Sequence, residues 1–167
     1  KGDVQSLSMP TASRDVVASA LVLNFVPDKP KALAELKRVL RPNGTIGIYV
    51  WDYPGGGLEF VQAFWDAAAS LDRRAKELSE DKRFPDCRPD GLATLMTAAG
   101  LTHVECTAIE IPTRFRDFDD YWLPFTLGAG PAPGYCVSLD PESRERLKRK
   151  LQDSLAYSDD GSIMLGA

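Results

Sequence analysis

The run Asp15-Val-Val-Ala-Ser-Ala-Leu-Val-Leu23 is almost continuously apolar and rich in β-branched residues. That pattern predicts a strand buried on both faces, in the middle of a parallel sheet. Asn24-Phe-Val-Pro27 breaks it, and Asp28 with Pro30 just beyond reads as a helix N-cap and first turn. From Lys31 the apolar residues Leu33, Leu36, Val39 and Leu40 recur at helical spacing among Lys31, Glu35, Lys37 and Arg38, which predicts an amphipathic helix lying on a sheet. Arg41-Pro-Asn-Gly44 ends it, because Pro42 cannot continue a helix and Asn-Gly readily takes positive φ. Thr45–Trp51 follows as a second buried strand, so the economical reading of strand, helix, turn and strand is a right-handed βαβ unit.

Beyond Asp52, Tyr-Pro-Gly-Gly-Gly57 reads as a loop leaving the carboxyl end of that strand, and Phe60, Phe64, Ala68 and Leu71 then fall on one helix face. Residues 72–86 form a polar connection with no clear element. Pro89 opens a helix carrying Leu92, Leu95, Met96 and Ala99, closed by Gly100, and Val104–Ile111 reads as a third strand. Phe115–Phe125 is dense in aromatics and acids and Gly128–Gly134 is rich in Gly and Pro, which together suggest a cap or lid. Asp140-Pro141 caps a last helix bearing Leu147, Leu151 and Leu155, and a further apolar segment begins at Ser162–Leu165. The expected organisation is an α/β core over residues 1–111, a cap over 112–139, and a C-terminal helix with the start of a last strand over 140–167.

At 167 residues, 44% hydrophobic and 26% charged, the chain has the size and composition of one globular domain. A net charge of −4 offers nothing to draw it to a phosphate backbone, so no nucleic-acid partner is expected. The basic run Arg144–Lys150 alternates with Glu145 and Leu147, as a solvated helix face does. Cys87, Cys106 and Cys136 stand far apart without metal-ligand spacing, which predicts no metal and no disulfide framework but a reduced, cytoplasmic protein. No apolar run approaches the roughly 18–20 residues of a membrane span, so no membrane partner is expected. Gly55–Gly57 lacks the spacing of a phosphate-binding loop and reads as a hinge or substrate loop. His103, the one histidine, lies away from the strand ends, and no catalytic residue is identified.

Three words in fixed order carry a family resemblance. Gly2-Asp-Val-Gln-Ser-Leu7 is similar to a G-D-A-x-x-L-P loop, followed after a short gap by a D-V-V strand, here Asp15-Val16-Val17. Ser19-Ala-Leu-Val-Leu-Asn-Phe-Val-Pro-Asp28 resembles S-x-x-V-L-H-H-V-x-D, with Asn24 and Phe25 where two histidines are common. Arg38-Val-Leu-Arg-Pro-Asn-Gly44 is close to R-V-L-K-P-G-G. These words resemble the class I S-adenosylmethionine-dependent methyltransferases described as UbiE-like or type-11, and the likeness extends over residues 1 to about 111. It implies an α/β fold: the C-terminal part of a Rossmann-like sheet with helices on both faces, plus a helical, aromatic cap insertion. It also implies S-adenosylmethionine as cofactor and a small molecule as methyl acceptor. In such open sheets ligands sit beyond the carboxyl ends of the strands, where Asp3-Val4, Asn24 and Trp51–Tyr53 would emerge.

Carried over residue by residue, the resemblance implies that the Asp3 carboxylate accepts from the adenine amino group and the Val4 N–H meets a ring nitrogen; an ionised carboxylate suits an amino donor because it only accepts. Asp3 in a plain surface turn is the alternative. Ala20 and Leu21 match positions whose backbone lies against the methionine part, or are ordinary sheet core. Asn24 faces the acceptor or satisfies its own loop. Trp51, Tyr53, Tyr121 and Trp122 wall an apolar substrate pocket, or pack in a core.

The family's first strand, its glycine-rich turn and its ribose-binding acid would precede Lys1. The expectation is therefore a fragment with weak cofactor binding and little methyl transfer, whose strand at Asp15–Leu23 exposes an edge open to a homodimer or swapped assembly. With few basic residues in the cap besides Arg114 and Arg116, a hydrophobic or cationic acceptor fits better than a phosphorylated one. A nicotinamide-dependent oxidoreductase and a non-catalytic α/β binding module remain the alternatives.

Overall fold

A computed structural model describes residues 2–167. In chain order its elements are β1 (Arg14–Ala20), α1 (Lys29–Val39), β2 (Leu40–Tyr49), α2 (Glu59–Leu71), α3 (Glu80–Arg83), α4 (Pro89–Ala98), β3 (Pro112–Phe115), α5 (Phe118–Trp122), α6 (Pro131–Ser138), α7 (Pro141–Ser154) and β4 (Ile163–Gly166), with 3-10 turns at Leu23–Phe25, Arg73–Leu78 and Leu123–Leu127. The chain divides into two compact units. The first runs through Asp52 and includes Pro85–Ala108; the second combines Tyr53–Phe84 with Ile109–Ala167.

In the first unit β1 and β2 pair in parallel with Val16 opposite Thr45, Val17 opposite Ile46 and Ala20 opposite Tyr49. Helix α1 makes the crossover that a parallel pair requires. It starts where expected: the Asp28 carboxylate accepts from the Lys31 N–H at 2.9 Å, and Pro30 sits in the first turn. Its apolar stripe is interior, with Leu33 fully enclosed and Leu36 nearly so, in one cluster with Leu23 and Met96 and with Val17, Ile46, Ile48 and Val50 of the sheet side. Lys37 donates to the carbonyls of Ala99 and Gly100 at 3.3 and 2.8 Å, a cation at the carbonyl end of α4.

Three expectations for this unit are corrected. β2 runs from Leu40 to Tyr49, so the expected turn at Arg41–Gly44 lies within its bounds and Val50 and Trp51 lie beyond it. β1 stops at Ala20, and Leu21–Leu23 is not strand because Leu21 has φ of +53° and the chain turns there into a 3-10 segment. Nor is β1 buried on both faces: α1 and α4 cover the side bearing Val17 and Ile46, whereas Val16 and Tyr49 on the other side are 66% and 52% exposed.

The second unit is built on aromatics. Phe64 stacks on Phe125 with ring centroids 4.4 Å apart, and Trp65, Phe118, Tyr121, Trp122, Leu147, Leu151 and Ile163 complete its core. Residues expected as a separate cap thus share a core with α2 and the C-terminal helix. The unassigned stretch 72–86 holds the 3-10 turn and α3, and there Glu80 is buried, accepting from the Trp65 indole N–H and from the Ala132 N–H at 3.2 Å. Burial pushes the Glu80 carboxyl above its ordinary range, opposed by those two hydrogen bonds. The expected strand at Val104–Ile111 does not form. The paired segment is β3, one step later, antiparallel to β4 with Phe115 opposite Ile163, and Ile109 is left 72% exposed. An alternating sequence becomes a strand only where a neighbour takes up its backbone groups.

Among the described residues no helix is long and apolar enough to cross a membrane, and no group of three or more His, Cys, Asp and Glu side chains is placed to hold a metal ion. Gly91 marks the tightest backbone approach in α4: a Cβ there would stand 2.7 Å from the Asp86 carbonyl oxygen and 3.0 Å from the Asp86 Cα. Gly91→Ala is expected to destabilise by about 1–3 kcal/mol, as overpacking does. Gly47→Ala, with nothing within 4 Å of the new carbon, is expected to leave stability unchanged or slightly raised. Urea midpoints of the two variants check this pair.

Candidate functional site

The carboxyl end of β1 leads through Leu21 and the 3-10 turn to Asp28, so the N-terminus of α1 marks the end of the sheet where a ligand of this fold class would sit. The loop at residues 3–7 is fastened there. Gln5 Oε1 accepts from the Asp28 N–H at 2.9 Å, and Val4 and Leu7 pack into the cluster that holds Leu23.

Asp3 is exposed and held in a defined pose. Its Oδ1 accepts from the Gln5 N–H at 2.9 Å and from Gln5 Nε2 at 3.4 Å, while among the described residues Oδ2 has only the long 3.5 Å contact to the same amide. The Ser6 N–H closes the turn on the Asp3 carbonyl at 3.1 Å. One carboxylate oxygen is thus engaged in orienting the group and the other is open to a donor, which suits an exocyclic amino group.

Leu21 carries the site's backbone outlier. A bulky residue at φ of +53° is rare, and here its N–H still donates to the Tyr49 carbonyl at 2.9 Å, extending the ladder one step beyond Ala20. The turn redirects the backbone at the position where the resemblance puts the methionine part of the cofactor. Asn24 is 7% exposed within the 3-10 turn, whereas its neighbour Phe25 is 60% exposed. Trp51 is half-buried just after β2 in the first unit. Tyr53, in the second unit, packs on Phe84 with centroids 5.3 Å apart.

Tyr121 and Trp122 require correction. Expected to wall a substrate pocket, they are interior: Tyr121 is fully enclosed, its hydroxyl donates to the Phe60 carbonyl at 2.8 Å, and burial drives its pKa upward; Trp122 is 8% exposed beside Phe118. The aromatic density of residues 115–125 builds a core. His103 is exposed.

A pair that the sequence presented as helix surface proves central. Glu35 and Arg38, one turn apart on α1, form an ion pair at 2.7 Å. The Glu35 carboxylate also accepts from the Leu7 N–H at 2.8 Å, and Arg38 donates to the Leu7 and Met9 carbonyls at 3.0 and 2.9 Å and to the Thr11 hydroxyl at 3.3 Å. The available signal was the i, i+3 spacing of opposite charges, which does not tell a solvated pair from one that grips a loop.

The chain is similar to known proteins over part of its length. The family model described as a methyltransferase domain matches residues 1–48. A malonyl-[acyl-carrier protein] O-methyltransferase of Serratia marcescens is 47% identical over 45 residues, covering 27% of this chain and 18% of that protein. An uncharacterized protein of Mycobacterium tuberculosis is 32% identical over 108 residues, 63% of this chain and 39% of that one. The chain thus spans well under half the length of these relatives. Among solved structures, a provisionally assigned methyltransferase of Bacillus halodurans superposes with a TM-score of 0.53 at 12% identity, over 99% of this chain and 65% of its own. One of an antibiotic biosynthesis pathway from Anabaena variabilis gives 0.50 at 20% identity, over 91% and 59%. The two superpositions show the fold alone, a mixed α/β methyltransferase fold. The family match, over residues 1–48, is to a methyltransferase domain, and none of these comparisons supports the nicotinamide-dependent alternative.

Arg38's hydrogen bonds, and then the Leu7 N–H, hold the Glu35 carboxyl down to about 2. Because the folded pKa lies below the unfolded value of about 4.3, the stability this group contributes is fully present above that value and is lost as pH falls through about 2. A carboxyl-carbon NMR titration of Glu35 is expected to show little protonation down to about pH 3; a midpoint near 4.3 would mean that the pair is not formed in solution.

Proposed function

We propose, from the premise that this chain carries a class I methyltransferase domain, that the protein transfers a methyl group from S-adenosylmethionine to a small-molecule acceptor. The observation that carries the reading is the Asp3 loop, with one carboxylate oxygen open at the end of the sheet where ligands of such folds bind. Asp3 and the Val4 N–H take the adenine, and the backbone at Ala20 and Leu21 takes the methionine part. The cofactor's sulfonium supplies an activated methyl group. The chain's own contribution is to hold the two partners in line, a proximity effect that needs no dedicated base.

On the acceptor side the reading keeps Asn24 and Trp51 of the first unit; it leaves out Tyr53, which belongs to the second unit, and the interior Tyr121 and Trp122. A hydrophobic or cationic acceptor fits better than a phosphorylated one: Arg114 and Arg116, the cations that a phosphorylated acceptor would call on, are engaged with Asp160 at 2.7 Å and with Asp120 at 2.9 Å. Among the described residues β1 is paired with β2 alone, and its second edge supports a homodimer or swapped assembly through that strand.

Asp3→Asn is the test. It keeps the shape of the side chain but gives up the charge, so a hydrogen bond to a charged acceptor worth about 1.5–3 kcal/mol is weakened or lost. In the full-length protein, calorimetry is expected to show S-adenosylmethionine binding about 10–100-fold weaker, with the melting temperature little changed. Unchanged affinity would remove Asp3 from the cofactor site.

A further inference from the structure

The loop that presents Asp3 has few backbone partners of its own. Within it, the Ser6 N–H reaches the Asp3 carbonyl and the Gln5 N–H reaches the Asp3 carboxylate, and beyond Leu7 no strand or helix takes up the chain until Arg14. The missing partners come from one helix. Glu35 takes the Leu7 N–H, and Arg38 takes the Leu7 carbonyl, the Met9 carbonyl and the Thr11 hydroxyl. The backbone carbonyls of Arg38 and Val39 then accept from the N–H groups of Ala12 and Ser13 at 3.0 and 2.8 Å. At the other end of the helix, the Asp28 N–H holds the side chain of Gln5, which in turn holds Asp3.

We propose that Glu35, Arg38 and Gln5 are the positioning residues of the cofactor loop, setting the pose of Asp3 and Val4 without touching the cofactor. The proposal rests on the assignment of Asp3 to S-adenosylmethionine. Its physical basis is the geometry of the guanidinium. A planar fork with five N–H donors serves Glu35 and three loop oxygens together, and the charge of Glu35 fixes the fork's orientation while its second oxygen fixes the Leu7 amide. A lysine at position 38 keeps the charge and loses the fork. Gln5 acts differently: its amide links the carboxylate to the N-terminus of α1, so the orientation of Asp3 is registered to the sheet end and not only to its own turn.

The test uses the full-length protein with Arg38→Lys, Gln5→Ala and Asp3→Asn, reading S-adenosylmethionine affinity by calorimetry and amide exchange by NMR. Arg38→Lys is expected to weaken binding about tenfold and to speed exchange at Ser6 and Leu7 about tenfold, with Val17 and Ser19 of β1 unchanged as internal controls. Gln5→Ala is expected to weaken binding several-fold with no change in the β1 amides, and it carries the test alone should Arg38→Lys unfold. A merely structural role would slow or speed all of these amides together. If Asp3→Asn weakens binding while Arg38→Lys and Gln5→Ala bind as the unaltered protein does, the positioning role is overturned and the cofactor assignment stands. If Asp3→Asn binds unchanged, or the unaltered protein does not bind at all, the cofactor assignment fails and the positioning role falls with it, whatever the exchange rates show.

Discussion

A backbone that leaves regular structure must still find partners for its N–H and C=O groups, and in the first unit that demand falls on helix α1. One side of α1 is apolar and buries Leu33 and Leu36 against the sheet side of the core. The adjoining polar flank is occupied from end to end: Asp28 caps the first turn and meets Gln5, Glu35 and Arg38 grip residues 7–11, and the carbonyls of Arg38 and Val39 start the chain toward β1. The helix is both the crossover of the βαβ unit and the template for the loop that precedes it. Displacing it would disturb the sheet and the candidate cofactor loop at once.

The second unit meets the same constraint with less backbone regularity. Its core is a ring of aromatics around Phe64 and Phe125, and the polar groups that such packing buries are each supplied with a partner: Tyr121 donates to Phe60, and Glu80 receives Trp65 and Ala132. No buried side-chain nitrogen or oxygen among the described residues is left without one. A carboxylate in such surroundings costs desolvation, seen in the upward push on Glu80, and the N–H groups pointed at it offset that cost. This packing also explains why residues that looked like a substrate lid, Tyr121 and Trp122, are not at a surface.

The local elements were legible where periodicity, a cap and a breaker agreed. α1 was readable because its apolar stripe, Asp28 and Pro30 all mark the same helix, and α4 and α7 because Pro89 and Asp140-Pro141 open them ahead of a helical apolar pattern. The third strand was misplaced because alternation over Val104–Ile111 says nothing about which segment pairs; β4 pairs with Pro112–Phe115, and of the expected strand Ile111 alone continues the ladder, exchanging backbone hydrogen bonds with Ala167. For the same reason one apolar strand, β1, was taken to be covered on both faces when only one is covered.

By itself, the sequence determined the α/β class, the order of strand, helix and strand, and the three words that align residues 1–48 with a methyltransferase domain, because these depend on residue type and near-neighbour spacing. The tertiary structure alone decided which aromatics are core and that Leu21 bends the end of β1. It alone showed that Glu35 and Arg38 serve residues 7–11, nearly thirty positions away in the chain. Such contacts are fixed by where the chain returns on itself, and a hydrogen bond across that distance leaves no periodic trace in the sequence.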